Sequence, residues 1–102
     1  MDINQEIEEL VKNNRIVLFM KGNPQFPQCG FSSRTVEALK ACEADFIHID
    51  VLQQPEVRQN LPAYSQWPTF PQMFIDGELV GGCDIVMDLY QRGELKKMIQ
   101  AS

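Results

Sequence analysis

The sequence has few of the residues from which metal sites and disulfide frameworks are built. Its 102 residues include one histidine, His48, and three cysteines, Cys29, Cys42 and Cys83, which lie 13 and 41 positions apart. An odd number of cysteines without a close pair does not favour a disulfide framework, and no C-x₂-C pair indicates a structural zinc site. We therefore expect a protein of the reducing cytoplasm that keeps at least one thiol for its reactivity.

The sequence also lacks long hydrophobic runs and any excess of positive charge. No apolar run approaches the roughly 20 residues that span a bilayer. The acidic N-terminus has neither the basic segment nor the small-residue cleavage site of a secretory signal. The 14 acidic and 9 basic residues give a net charge of −5, which repels a polyanion. We expect neither a membrane segment nor a nucleic-acid partner.

Hydrophobic residues are plentiful enough, at 44%, for one compact domain, which we assign to residues 1–102. The run Ile16–Met20 is apolar on both faces, which predicts a strand covered by helices on both sides. Asp76-Gly77 separates two short apolar segments and predicts a two-residue hairpin turn. With helical spacing elsewhere, the predicted order is α-β-α-β-α-β-β-α-α. This order favours an α/β fold with a mixed four-stranded sheet flanked by helices.

Proline, glycine and aspartate mark the expected ends of the later helices. Pro55 suits the first turn of the third helix, and Pro62 is expected to limit or distort that helix. Asp84 is expected to cap the fourth helix, which Gly93 ends.

Cys29 occupies the position with the most distinctive chemistry. It lies where a proline-rich loop enters a helix that runs from Cys29 or Gly30 to about Cys42. Unpaired N–H groups at a helix N-terminus favour a thiolate over a thiol, and Lys21 adds a nearby cation. A thiolate is both a nucleophile and a metal ligand, so the position suits either chemistry. The alternative is that Cys29 is a small buried hydrophobic residue.

Three sequence blocks occur in order along the chain. They are Lys21-Gly22-x-Pro24-x-x-Pro27-x-Cys29-Gly30-Phe31-Ser32, Trp67-Pro68-Thr69-Phe70-Pro71-Gln72 and Gly81-Gly82-Cys83-Asp84. With these blocks the chain resembles, over nearly its whole length, the monothiol glutaredoxins, proteins of the thioredoxin fold whose signature is C-G-F-S. The resemblance implies a thioredoxin fold.

The resemblance also implies a function. Cys29 and a glutathione thiolate are expected to ligate a [2Fe-2S] cluster that a homodimer shares, since two protein and two glutathione sulfurs supply the four ligands such a cluster requires. The implied role is that of a cluster carrier for apo iron–sulfur proteins, with BolA-like proteins as further partners.

Two other functions remain open. In the first, Cys29 is the nucleophile of a glutathione-dependent thiol–disulfide oxidoreductase that removes glutathione from proteins. Ser32 cannot resolve a mixed disulfide as a second cysteine would, so such an enzyme needs an external thiol. In the second, the protein is a regulatory adaptor that senses clusters through hetero-complexes.

Three segments are expected to bind glutathione. Lys21 and Arg58 suit its glycyl carboxylate, although both also suit a solvated surface. Pro71 resembles the cis-proline of thioredoxin folds, which leaves the Phe70 backbone free to pair with a peptide ligand. The N–H groups at the start of the fourth helix suit the γ-glutamyl carboxylate, while the Asp84 side chain meets the ligand's ammonium group or caps the helix. The candidate residues are Lys21, Arg58, Thr69, Phe70, Pro71, Gly82, Cys83 and Asp84.

The remaining conspicuous residues are assigned to the scaffold. About 20 Å of helix separates Cys42 from Cys29, so Cys42 is expected to pack in the core. Cys83 is also a candidate for a transient bridge to Cys29. His48 is expected at a sheet edge or surface, and Trp67 is expected to brace the loop before Pro71.

Overall fold

A computed structural model describes residues 2–101. Its elements follow the predicted order: α1 (Ile3–Asn13), β1 (Ile16–Met20), α2 (Gly30–Ala41), β2 (Ile47–Asp50), α3 (Pro55–Ser65), β3 (Gln72–Ile75), β4 (Glu78–Gly81), α4 (Cys83–Gln91) and α5 (Glu94–Gln100). Within residues 2–101, no helix is both long and apolar enough to cross a membrane.

The four strands form one mixed sheet in the order β2-β1-β3-β4. β1 pairs with β2 in parallel and with β3 antiparallel, and Asp76-Gly77 turns β3 back into β4. β2 is an edge strand and His48 on it is exposed, as predicted. The predicted α/β class and thioredoxin fold are confirmed.

β1 is buried along its whole length because helices cover both faces of the sheet. Successive side chains of a strand point to opposite faces, and β1 divides accordingly between two cores. Leu18 and Met20 pack with α2, α4 and α5, whereas Val17 and Phe19 pack with α1 and α3. Cys42 is buried in the first core, which confirms its packing role.

The structure corrects two helix boundaries. Pro62 does not end α3, which continues to Ser65, because a proline removes only one N–H hydrogen bond while the neighbouring Leu61 stays fully buried. Asp84 does not cap α4. The helix already begins at Cys83, so Gly82 is the N-cap residue and Asp84 lies in the first turn, where its charge still suits the helix dipole.

Candidate functional site

Cys29 is the N-cap residue of α2. Its backbone is extended, with φ −157° and ψ 140°, and the helix begins at Gly30. The three cysteines are free; Cys42 and Cys83 are buried, whereas Cys29 is partly exposed. Cys29 is therefore the cysteine that presents its sulfur at the surface.

The surroundings of Cys29 favour the thiolate. Partial burial by itself raises the pKa of the Cys29 thiol, but hydrogen bonding from the backbones of Ser32 and Phe31, then the Ser32 side chain and the charge of Lys21, lowers the pKa below its ordinary value of 9.0. The side chain makes no regular capping hydrogen bond within the described chain. The pKa is lowered because these groups stabilise negative charge on the sulfur.

Ser32 has a structural role that the sequence did not reveal. It is fully buried, and its Oγ accepts a hydrogen bond from the N–H of Lys21 at 3.1 Å. The first turn of α2 is thereby joined to the end of β1, which holds Lys21 and Cys29 at the same rim.

Hydrogen bonds on either side of Gly22 fix the loop between β1 and α2. The N–H of Gly22 donates to Asp50 Oδ1 at 2.9 Å, and the N–H of Gln28 donates to the Lys21 carbonyl at 2.8 Å. Gly22 has φ +89°, and a Cβ there would lie 2.6 Å from the carbonyl oxygen of Phe26. Only glycine fits this position without displacing the loop.

A cavity of about 850 Å³ opens beside Cys29. All of the candidate site residues line it: Lys21, Cys29, Arg58, Thr69, Phe70, Pro71, Gly82, Cys83 and Asp84. The structure thus brings together residues that lie up to 63 positions apart, from Lys21 to Asp84. Their contacts with glutathione stay predictions.

One wall of this cavity is the segment Trp67–Pro71, which we call the rim loop. The Phe70–Pro71 peptide bond is cis, as predicted from the resemblance. The N–H of Trp67 donates to the carbonyl of Pro62 at 3.2 Å, which fixes the start of the rim loop to the end of α3.

A second wall, next to the rim loop, is the N-terminus of α4. Gly82 makes no side-chain cap, so the N–H groups of Cys83 and Asp84 are not used by a capping side chain within the described residues. Such N–H groups, together with the helix dipole, favour an anion. A Cβ on Gly82 would lie 3.1 Å from Trp67 Nε1 and 3.2 Å from the Pro71 carbonyl oxygen, so the α4 N-terminus packs closely on the rim loop. This contact agrees with the predicted bracing role of Trp67.

Sequence reasoning missed several apolar residues of the cavity: Phe31, Pro62, Pro68 and Ile85. Phe31 is 55% exposed and Ile85 is 38% exposed. The available signal was their position beside Cys29 and Asp84, but an apolar residue in the first turn of a helix is equally typical of a core position. The lining of the cavity therefore combines charged residues with apolar ones.

The chain alone offers little for metal binding. Within residues 2–101, no three His, Cys, Asp or Glu side chains come together as a ligand group. Two cysteines line the cavity, Cys29, which is partly exposed, and Cys83, which is buried.

Comparison with known proteins gives consistent results. The family model "Glutaredoxin" matches residues 16–80. The chain is 53% identical to Glutaredoxin 4 of Escherichia coli strain K12, over 94% of this chain and 84% of that protein. The solution structure of reduced poplar apo GrxS14 superposes with a TM-score of 0.82 at 45% identity, over 96% of this chain and 90% of that one. A crystal structure of a buckwheat glutaredoxin–glutathione complex has a TM-score of 0.82 at 29% identity, over 94% and 86% of the two chains.

Proposed function

Since the chain belongs to the glutaredoxin family, and since Ser32 replaces a second thiol three residues after Cys29, we propose that this monothiol glutaredoxin binds glutathione and uses it to carry a [2Fe-2S] cluster. The cluster is the cargo, passed on to apo iron–sulfur proteins. The observation that supports this role is the single thiolate-favouring cysteine at the edge of a cavity large enough for a peptide.

Glutathione suits the cavity because its charged groups match charged groups of the lining. Lys21 and Arg58 lie on the lining and suit the glycyl carboxylate. The N–H groups at the start of α4 suit the γ-glutamyl carboxylate, and exposed Asp84 suits the adjacent ammonium group. The buckwheat glutaredoxin, which has the same fold, was crystallised in complex with glutathione, and this supports the same ligand for the present chain.

The ligand count follows from the cysteines. A [2Fe-2S] cluster takes four thiolates, and the partly exposed cysteine of each chain is Cys29, whereas Cys83 lines the cavity but is buried and Cys42 is buried in the core. Two chains and two glutathiones complete the set. We therefore assign the holo form to a homodimer bridged by the cluster, and we extend the proposal to hetero-complexes with BolA-like proteins in the cytoplasm.

The test is anaerobic reconstitution of the protein with iron, sulfide and limiting glutathione. Absorption spectroscopy should show a [2Fe-2S] cluster that passes to apo-ferredoxin, and native mass spectrometry should show two protomers and two glutathiones. Cys29→Ser should abolish the cluster, while Cys42→Ser, the matched control, should retain it. A normal cluster in Cys29→Ser, or a holo dimer without glutathione, would refute the ligand set.

The lowered pKa of Cys29 also supports a second candidate, a glutathione-dependent oxidoreductase. The Cys29 thiolate attacks a protein–glutathione disulfide and takes the glutathionyl group, while the protein sulfur leaves as a thiolate and is protonated. A glutathione thiolate then attacks the mixed disulfide, which releases oxidised glutathione and regenerates Cys29. Turnover of a glutathionylated protein should be slow compared with dithiol enzymes; rapid turnover would favour this candidate over the carrier.

A further inference from the structure

Gln72 is a polar residue fully buried at the start of β3. Its Nε2 donates to the carbonyl oxygens of Trp67 at 2.9 Å and Thr69 at 3.1 Å. Both partners are acceptors, so the amide nitrogen, and not the amide oxygen, must face them. The side chain thus spans the inside of the rim loop without lining the cavity.

The rim loop has few other hydrogen bonds. No backbone–backbone hydrogen bond fixes Thr69 or Phe70 in the part of the chain that the structure describes. Pro68 and Thr69 are exposed, so their packing holds them weakly. At its end the loop is anchored by the packing of Phe70 on the core beside α1 and α3 and by the burial of Pro71. Between the Trp67–Pro62 hydrogen bond at its start and this anchored end, the two hydrogen bonds from Gln72 are the ones that hold the backbone carbonyls of the loop in the described chain.

The stability of the fold alone does not explain a glutamine at position 72. Its Oε1 is buried without a hydrogen-bond partner among residues 2–101. An unsatisfied buried acceptor lowers stability, and an apolar side chain of similar size would avoid that loss. The favourable part of the side chain is therefore the amide nitrogen, which donates to two carbonyl oxygens of the rim loop.

We propose that Gln72 is a positioning residue, which sets the affinity for glutathione by holding the rim loop against the cavity and does not touch the ligand itself. The proposal rests on glutathione being the ligand of the cavity. Its structural part, the ordering of the rim loop, is independent of any ligand.

The chain contains a single tryptophan, Trp67, which lies in the rim loop and reports on it by fluorescence. Gln72→Met keeps the length of the side chain and removes both hydrogen bonds. In this variant, acrylamide should quench Trp67 more strongly than in the wild type. The affinity for reduced glutathione, measured by calorimetry, should fall about tenfold, as expected for the loss of two hydrogen bonds. Ile99→Val, a core change in α5 on the other face of the sheet, is the control and should alter neither readout.

A second variant separates positioning from general loosening of the core. Gln72→Glu places a carboxylate against the two carbonyl oxygens when the side chain is ionised, and protonation at lower pH restores one O–H donor. Trp67 quenching in Gln72→Glu should therefore fall with decreasing pH, whereas Gln72→Met should show no such dependence. Unchanged quenching in Gln72→Met, or weaker binding without a change in quenching, would overturn the proposal. If the wild type itself binds no glutathione, the proposed ligand is wrong, and the quenching data still decide the role of Gln72.

Discussion

At the residue scale, the chemistry of the site depends on which groups surround one sulfur. The pKa of Cys29 is lowered although partial burial opposes it, because Ser32, Phe31 and Lys21 favour the thiolate. A thiol with a lowered pKa is a better metal ligand and a more abundant nucleophile near neutral pH. The same residue environment thus serves both candidate functions.

This environment predicts how the thiol titrates. Ser32→Ala removes the hydroxyl and frees the N–H of Lys21, and Lys21→Gln removes a positive charge, so each should raise the pKa of Cys29. Lys40→Gln, an exposed change in α2, is the control and should leave the pKa unchanged. The measurement is the ultraviolet absorbance of the thiolate as a function of pH, in protein carrying Cys42→Ser. A wild-type pKa at or above 9.0 would contradict the assignment.

The lowered pKa also links stability to pH. Because the folded-state pKa of Cys29 lies below the unfolded value, ionised Cys29 favours the folded state. The stabilisation is fully present above the unfolded pKa, near 9.0, and is lost as the pH falls through the folded-state pKa. Denaturant titrations of reduced protein should show this rise in the free energy of unfolding with pH, relative to Cys29→Ser, and identical profiles would contradict it.

Single residues also show which parts of the site can be predicted from the sequence. The position of Cys29 at a helix start followed from local pattern, and the resemblance supplied Lys21, Arg58 and Asp84 as cavity residues. The partner of Ser32 did not follow, because its Oγ meets a backbone N–H 11 positions away that only the tertiary fold brings near. Gln72 was missed for the same reason, since a glutamine in a sequence gives no sign of being buried.

At the scale of elements, periodicity predicted all nine helices and strands of the described chain, and the errors fell at helix ends. Pro62 inside α3 illustrates the cause: local backbone preference disfavours a helix there, but the burial of Leu61 outweighs it. The conformation of the loop between β1 and α2 was harder still to predict. Asp50, at the end of β2, accepts a hydrogen bond from the N–H of Gly22 in this loop, and only the tertiary fold brings the two residues together.

The loop between β1 and α2 gives a prediction with a matched pair of glycines. Gly22→Ala forces a left-handed backbone and a Cβ contact of 2.6 Å, and should lower the free energy of unfolding by roughly 1–3 kcal/mol. At Gly30, in the first turn of α2, an added Cβ would meet no heavy atom within 4 Å outside the backbone of its own helix. Gly30→Ala should therefore be neutral or stabilising by up to about 1 kcal/mol. Equal effects of the two changes in urea unfolding would contradict this account of the loop.

The end of α5 depends on one arginine from a distant part of the chain. The guanidinium of Arg15 donates to the carbonyls of Met98, at 3.0 Å, and of Ile99 and Ala101, and it lies 3.5 Å from Asp76 of the hairpin turn. Carbonyls at a helix C-terminus carry partial negative charge and lack intrahelical partners. Arg15 therefore fixes α5 to the start of β1.

Arg15→Gln should release this contact. The side chain is 37% exposed, so we expect a loss of about 1–2 kcal/mol, below the full value for charged hydrogen bonds. Amide hydrogen exchange should become faster in α5 and stay unchanged in α2. Arg92→Gln, which breaks a surface pair with Asp88 at 3.1 Å, is the control and should cost at most about 0.5 kcal/mol. A smaller loss for Arg15→Gln than for Arg92→Gln would show that α5 is held by its core contacts alone.

At the scale of the whole molecule, sheet, helices and charge act together. The cavity lies where the C-terminal end of β1, the rim loop and the start of α4 meet, so that no single element contains the site. The net charge of −5 per chain affects any assembly of two copies. Like net charges disfavour association, and salt screens this repulsion over about 8–10 Å at physiological ionic strength.

The proposed holo dimer should therefore respond to salt and to chelation in ways that a permanent dimer would not. One chain and one glutathione together offer two thiolates, whereas the cluster takes four. In the proposed dimer the cluster itself therefore joins the protomers. Sedimentation of reconstituted protein should show a dimer that a chelator converts to monomers. Because each chain carries −5, raising the salt concentration in glutathione-saturated buffer should strengthen the dimer, and the control, protein reconstituted as Cys29→Ser, should remain monomeric at every salt concentration. A dimer that persists after the iron is removed, or that weakens as salt is added, would mean that contacts between the protein surfaces, and not the shared cluster, hold the two chains together.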